Sequence, residues 1–423
     1  MPDAEIIAVG SELLTPEKID TNSLFLTEQL NLLGIEVMRK SIVGDDRARL
    51  ADTVREALSR GDVLVLCGGL GPTEDDITRE AVADALQRDL VFNEQVCRAI
   101  EARFRRFGRV MAERNRKQAD IIAGAEALAN PRGTAPGQWI DVDQRAIILL
   151  PGPPHEMKPL FTGACVDRLK RKFPPQAIRT RFWRVAGMGE SALDELIAPI
   201  YTRYTNPTTT ILAGGGDVQI HFRARCATDD EAERLLDEVT SQIEPILGDR
   251  LYSRNGEAIE AVIGHMLRER GETVSVAESC TGGMLGGRIT AVSGSSDYFR
   301  GGFLVYTDQM KTELLGVPEE LIASNTSVSE PVAREMVERA RERTGASWGI
   351  SVTGYAGPGG GTPENPAGTV FLGVAGPDET EVRRFYFPHA DREIVRTFTT
   401  HAALDLLRRR MLRISTTGSF FNR

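Results

Sequence analysis

The sequence predicts an α/β protein of three domains. An N-terminal α/β domain has a mainly parallel sheet, a small α+β domain follows, and a second α/β domain closes the chain. Three observations predict this. Short apolar runs alternate with helix-period segments at both ends of the chain, as in a parallel sheet covered by helices. The pair Pro174–Pro175 and the stretch LYSRNGEA from Leu251 interrupt that alternation. The 423 residues exceed what one core organises and suggest about three domains. The predicted domains are 1–173, 179–250 and 256–414.

In the first domain Ile6–Val9 is a short strand, and Asn22–Leu33 places Leu24, Phe25, Leu30 and Leu33 at helical spacing before Gly34. Ile35–Val43 is extended and Leu50–Leu58 helical. Asp62–Cys67 (DVLVLC) reads as a buried strand that runs into GGLGPTEDD. A helix over Arg79–Leu86, a charged helical stretch over Val96–Arg116 and a strand at Ala146–Leu150 complete it. The middle domain has a strand at Phe182–Val185, a helix at Ala192–Tyr201, a strand pair at Thr209–Leu212 and Val218–Ala224, and a helix over about 230–247. LYSRNGEA is read as a linker. The third domain has helices at Ile259–Glu269, Glu330–Arg343 and Arg392–Leu412. Its strands are expected at Thr273–Ala277, Phe303–Tyr306, Gly349–Val352, Thr369–Val374 and Val382–Phe387. The polar tail Ser415–Arg423 is expected to fray.

Composition excludes several classes. The net charge of -9 argues against a general nucleic-acid binder, which carries a basic footprint. Cys67, Cys97, Cys165, Cys226 and Cys280 are scattered, without CxxC spacing, so neither a disulfide framework nor structural zinc is expected. The N-terminus lacks the pattern of a signal peptide, and no apolar run approaches the roughly 20 residues that span a bilayer. A cytoplasmic protein with no membrane contact is the expectation.

The sharpest chemical signal is Ser279. It ends an apolar strand just before Thr281, Gly282 and Gly283 open a helix, whose free amides could hold an oxyanion or a phosphate. Serine needs a base. His265 lies in a helix and His389 near a turn, whereas Lys311 in VYTDQMK follows a strand. Asp308 beside it is expected to hold the lysine charged and so to oppose its work as a base. Cys280 is a rival nucleophile, though a small buried thiol turned away fits it better. In SVTGYAGPGGGTP, Thr353 ends a strand, and Gly354, Gly357, Gly359, Gly360 and Gly361 would let backbone approach a ligand. Alone such a run reads as a flexible turn; beside Ser279 and YTDQMK the functional reading gains.

A second candidate lies in Gly68–Thr78. Its glycines permit a tight turn with amides toward phosphates, and Asp75 and Asp76 add hard oxygen ligands suited to Mg²⁺. The bland alternative is a solvated acidic helix cap. The stretch is neither a Walker loop nor a GxGxxG fingerprint.

The motifs AESCTGG, GSSDYFRGGFLVYTDQMKTELLGV, SVSEPVAREM and SVTGYAGPGGGTPENPAGTV resemble the CinA C-terminal domain, over about 259–412. The resemblance implies an amidohydrolase that converts nicotinamide mononucleotide (NMN) to nicotinate mononucleotide and ammonia without a cofactor. It puts the nucleophile at Ser279 and the base at Lys311, with Tyr306 and Thr353 assisting by hydrogen bonding and proton relay. Thr281, Gly282, Gly283, Gly354, Gly357, Gly359 and Gly360 would bind substrate. The sequence departs from the family's frequent YSNEAK at Asp308, and Asn365 stands where many relatives have lysine.

The set VGSELL, DTNS, VGDD, GGLGPTEDDIT, GTAPG and LPGPPHEM resembles the molybdopterin-binding fold in its CinA N-terminal version, over about 4–173. That implies hydrolysis of ADP-ribose to AMP and ribose 5-phosphate with a divalent metal of Mg or Co type. Asp45, Asp75, Asp76 and Glu156 would serve the metal, and Ser11, Asn22, Gly69 and Gly71 the nucleotide. The middle domain resembles the KH-like spacer of such proteins, without an evident GxxG clamp. The expected partners are the two nucleotides and a second copy in a homodimer. Molybdopterin handling and a non-catalytic competence or recombination role are the alternatives.

Overall fold

Buried apolar strands organise each sheet. The structure, a computed structural model, describes residues 2–174, 176–388 and 391–414. Pro175 of the predicted boundary, His389 and the tail from Ser415 lie outside the described residues. The chain forms two compact units, Met1–Arg179 with Arg225–Ala232, and Thr180–Ala224 with Glu233–Arg423.

The first unit contains β1 (Asp3–Val9), β2 (Glu36–Val43), β3 (Val63–Cys67), β4 (Leu90–Phe92), β5 (Asp120–Ile122), β6 (Ala125–Leu128), β7 (Gly137–Val142) and β8 (Arg145–Leu150). Six of these form one sheet in the order β2-β1-β3-β8-β7-β6. β2, β1, β3 and β8 run parallel, and β7 and β6 antiparallel. Every residue of β3 is buried because helices cover both faces. On one face Ile6, Val65 and Ile148 meet Leu26 and Leu30; on the other Ile7, Leu64 and Leu66 meet Leu50, Val54 and Val82.

The helix expected from Leu50 starts at Arg47, because the Asp46 side chain accepts from the Arg49 amide. The expected helix Val96–Arg116 is shorter. Asn93 caps it at Glu94–Arg106, the chain turns at Gly108 (φ +66°), and a 3-10 segment follows at Glu113–Ala119. Strands β4 to β7 were not anticipated, since most are too short to carry a period.

The second unit holds two sheets. β9 (Ala177–Ala186), β10 (Thr208–Gly214), β11 (Asp217–Cys226) and β12 (Leu251–Ser253) form the order β10-β11-β9-β12, with antiparallel pairs β10/β11 and β9/β12. In β11 Val218, Ile220, Phe222 and Ala224 point inward at period two. Part of the expected linker is therefore strand: Leu251, Tyr252 and Ser253 are buried as β12.

The last sheet takes β13 (Val274–Glu278), β14 (Phe299–Leu304), β15 (Trp348–Gly354), β16 (Thr369–Ala375) and β17 (Thr380–Tyr386) in the order β14-β13-β15-β16-β17. β14, β13 and β15 are parallel; β16 and β17 are antiparallel. β14 lies earlier than predicted, so Tyr306 follows the strand instead of ending it. Glycines masked that strand, and Gly302 is needed there: a Cβ would stand 2.3 Å from Val276 Cγ2. Among the described residues no helix is long and apolar enough to cross a membrane.

Candidate functional site

The parallel strands β13 and β14 bring Ser279 and Lys311 together. β13 ends at Glu278, the Ser279 amide donates to Val352 O (3.0 Å), and the Val305 amide donates to Glu278 O (2.8 Å). The chain beyond Val305 then turns into the segment that carries Lys311. Ser279 and Lys311 are both buried, and Lys311 Nζ lies 3.5 Å from Ser279 Oγ. Burial pushes the Lys311 ammonium below its usual range, and Asp308 opposes that shift. Asp308 Oδ1 stands 3.7 Å from Nζ but is itself largely exposed. Asp308 thus acts in the expected sense, favouring the charged lysine, while desolvation acts against it as the larger cause. Ser327 Oγ donates to the same Asp308 oxygen, and Ser327 O accepts from Thr353 Oγ1 at 2.7 Å. Lys311, Asp308, Ser327 and Thr353 form one connected chain of groups.

The expected anion site at the following helix is also corrected. Gly282 (φ +60°) and Gly283 (φ +92°) turn the chain into the helix Met284–Ala291. Its first amides are not open. The Glu278 carboxylate accepts from Gly283 N (3.0 Å), Leu285 N (3.0 Å), Gly286 N (2.8 Å) and Thr281 Oγ1 (2.7 Å). Sequence reasoning missed Glu278 because nothing in AESCTGG says that its side chain folds back on the turn.

Tyr306 is exposed, and its hydroxyl accepts from Arg392 Nη2 (2.8 Å); Arg392 Nη1 donates to Gly357 O (3.0 Å). Arg396 Nη2 donates to Thr281 O (2.7 Å). These two arginines, one helical turn apart near the start of Arg392–Met411, tie the glycine loop and the serine turn to one helix and were not anticipated. Gly354 abuts β16, where a Cβ would stand 2.4 Å from Val370 Cγ1, while Gly359 meets open space. Asn365 Oδ1 accepts from Arg384 Nε (2.9 Å). Cys280 is buried, and burial pushes its thiol up to about 12, which favours the protonated form over the nucleophilic thiolate. His265 is half exposed beside Glu257.

In the first unit a cavity of about 560 Å³ opens at the carboxyl ends of β1, β3 and β8. Glu12, Asp45, Asp75, Asp76 and Glu156 line it together with Gly69 and Gly71. Gly69 and Gly71 are required: a Cβ would stand 2.3 Å from Thr78 Oγ1 and from Asp76 Oδ2 respectively. Asp76 Oδ2 accepts from Thr73 N (2.9 Å) and Thr73 Oγ1 (2.6 Å), and Glu156 Oε2 from Asn130 Nδ2 (2.7 Å). Beneath the loop the buried Arg79 donates to Leu70 O (2.7 Å) and Gly71 O (3.1 Å). In a trans peptide N–H and C=O point opposite ways, so the Gly71 N–H is turned away from Arg79.

Ser11 and Asn22 are not among the residues that line the cavity. Ser11 exchanges two hydrogen bonds with Asp45, and Asn22 donates to Gly152 O (2.7 Å) and Cys67 Sγ (3.3 Å). Both therefore hold the cavity's walls. Among the described residues no three His, Cys, Asp or Glu side chains are arranged to hold a metal ion. Asp45, Asp75, Asp76 and Glu156 thus do not make a closed protein cage. Mg²⁺ commonly binds through one or two carboxylates while substrate phosphates and water complete its shell, so a cation here would need ligands beyond the protein.

Fold and sites together define a three-domain α/β protein. Residues 5–171 match the probable molybdopterin binding domain, 180–253 the damage-inducible protein CinA KH domain, and 256–411 the CinA C-terminal domain. The chain belongs to the CinA family. The CinA-like protein of Solibacter usitatus is 54% identical over 409 residues, 97% of this chain and 98% of that one. The CinA-like protein of Koribacter versatilis is 47% identical over 413 residues, 97% of this chain and all of that one. Among solved structures, the protein CinA with unknown function from Thermoplasma acidophilum is 34% identical, with a TM-score of 0.37, over 39% of this chain and 97% of that one.

Proposed function

We propose that the chain is a bifunctional pyridine-nucleotide hydrolase whose C-terminal domain deamidates NMN. The observation that carries this is the buried Ser279–Lys311 contact with a lysine depressed by burial. A neutral amine beside a hydroxyl is an activated nucleophile. Lys311 takes the Ser279 proton as Oγ attacks the carboxamide carbon, and the proton passes to the leaving nitrogen, which departs as ammonia. Water, with Lys311 again as base, cleaves the resulting ester to nicotinate mononucleotide and free Ser279. Tyr306 and Thr353 would orient the carboxamide and relay protons. The choice of NMN among amides rests on the motif resemblance. The test is ammonia release from NMN by the wild type, Ser279→Ala and Lys311→Ala. Full activity in Ser279→Ala overturns the nucleophile.

The N-terminal domain would hydrolyse ADP-ribose to AMP and ribose 5-phosphate. The acidic cavity with its glycine loop supports this reading. Asp45, Asp76 and Glu156 would hold a divalent cation together with the pyrophosphate, and a bound cation would neutralise phosphate charge and acidify water. The match of residues 5–171 to a molybdopterin binding domain favours a second reading, molybdopterin binding at the same cavity. Competition between molybdopterin and ADP-ribose, followed by AMP production, separates the two. A homodimer in the cytoplasm remains part of the proposal, and light scattering tests its mass.

A further inference from the structure

Glu278 is a buried carboxylate that takes no part in the proton transfers above. A buried charge needs compensation, and here three backbone amides and one hydroxyl supply it. The Met284 and Gly287 amides donate to Thr281 O and Gly283 O. The helix Met284–Ala291 therefore offers no open donor in its first turn. The Ser279 amide is spent on Val352 O and the Gly282 amide on Ser279 O. What remains beside the nucleophile are the amides of Cys280 and Thr281, which donate to no backbone carbonyl among the described residues.

We propose that Glu278 is a positioning residue that shapes the oxyanion-stabilising turn of this site and excludes phosphate from it. The inference rests on the amidase reading. Two physical consequences follow from one side chain. First, Glu278 fixes the turn Ser279–Gly283 from its far side, so that the Cys280 and Thr281 amides are held ready for the charge that develops on the carboxamide oxygen. Donors fixed in advance stabilise a transition state more than donors that must reorganise. Second, an open helix N-terminus attracts anions, and the substrate carries a phosphate at its other end. Glu278 fills the amides of Gly283, Leu285 and Gly286 with the chain's own anion and leaves a negative charge where the phosphate would bind.

The test uses the full chain with Glu278→Gln and Glu278→Ala. Gln keeps the shape but turns an NH₂ toward backbone donors; Ala opens the amides. Hydrogen exchange at Gly283, Leu285 and Gly286 should accelerate in both variants. In folded Glu278→Gln, kcat for NMN should fall about 10- to 100-fold, below the roughly 10²- to 10³-fold cost of removing an oxyanion donor outright, because the donors are displaced and not deleted. Inorganic phosphate should inhibit Glu278→Ala about 10-fold more strongly than wild type, a change that loss of rigidity alone does not produce. Unchanged exchange in both variants overturns the proposal whatever the activity. So does wild-type kcat in Glu278→Gln when Ser279→Ala is inactive. Full activity in Ser279→Ala instead sinks the amidase reading, and the proposed oxyanion role falls with it.

Discussion

Lys311 Nζ lies 3.5 Å from Ser279 Oγ, inside a site where both side chains are buried. At that separation the lysine is useful only when neutral. Since burial lowers its pKa, the deprotonated fraction rises through a range below the usual 10.5. kcat/KM for NMN should therefore climb with pH and level off above the pKa of Lys311 in the free enzyme. Asp308 raises that pKa, so Asp308→Asn should move the acid limb to lower pH. A limb that moves upward, or stays fixed, contradicts the assignment. Lys311→Ala should lose about 10²- to 10⁴-fold in rate, as expected for removal of a general base.

The same lysine costs stability. Its folded pKa lies below the unfolded value, so between the two the unfolded chain binds more protons, and stability rises with pH through that interval up to the unfolded pKa. Lys311→Met keeps the length and removes the charge. It should stabilise the folded chain by about 1 kcal/mol at pH 7, in line with functional groups held at a cost to stability. The gain should shrink as pH approaches the usual lysine value. Urea melts of the inactive variant at pH 7 and pH 10 measure both. A variant less stable than wild type at pH 7 argues that Lys311 is a structural ion-pair partner of Asp308.

Ser279, Lys311 and the glycine loop were legible because each follows a strand whose apolar run is visible, and chemistry gathers at strand ends. What was hidden depends on how side chains fold back. Glu278 could equally have faced water, and only the close approach of Gly283 and Gly286 makes it a cap. Whether Asp308 or burial dominates Lys311 is set by packing that no spacing reports. Tyr306 was misplaced on a strand because Gly301 and Gly302 erase the apolar signal of β14. In the N-terminal domain the loop and its carboxylates were legible as a group. Arg79 was not, since a charged residue on a helix reads as solvated until its guanidinium is found beneath the loop.

The scattered bonding of Asp45, Asp76 and Glu156 predicts a cation that binds with substrate. Without a group of three ligating side chains among the described residues, Mg²⁺ alone should move Tm by no more than about 1 °C, whereas Mg²⁺ with ADP-ribose at about 100 Kd should add about 2.7 kcal/mol to folding. Chelation should abolish AMP formation and leave NMN deamidation intact. Asp45→Asn should raise the Mg²⁺ needed for half-maximal AMP formation about 10-fold. A large thermal shift with Mg²⁺ alone would reveal a preformed metal site and contradict this reading.

Acid stability should depend on His401. It is buried in the helix Arg392–Met411 with Nε2 unpartnered, and burial pushes its pKa down to about 4. Asp217 and Asp405 pull the other way, while Arg288 adds to the depression. The ring is thus neutral in the folded chain at pH values where the unfolded chain is already protonated. Stability should be lost as pH falls from about 6.5 to about 4 and then level off. A shift of that size corresponds to about 3 kcal/mol as an upper bound. Replacing the ring tests this if the cavity stays filled, so His401→Phe is the variant of choice. Its urea midpoint should vary less with pH across that window than that of the wild type. Parallel pH profiles for the two would place the acid sensitivity elsewhere. Gly216→Ala offers an independent probe of the same contact: its φ is +101° and the added Cβ would stand 2.7 Å from His401 Cβ. It should destabilise by about 1–3 kcal/mol at neutral pH, with no loss of the carboxylate-lined cavity's activity.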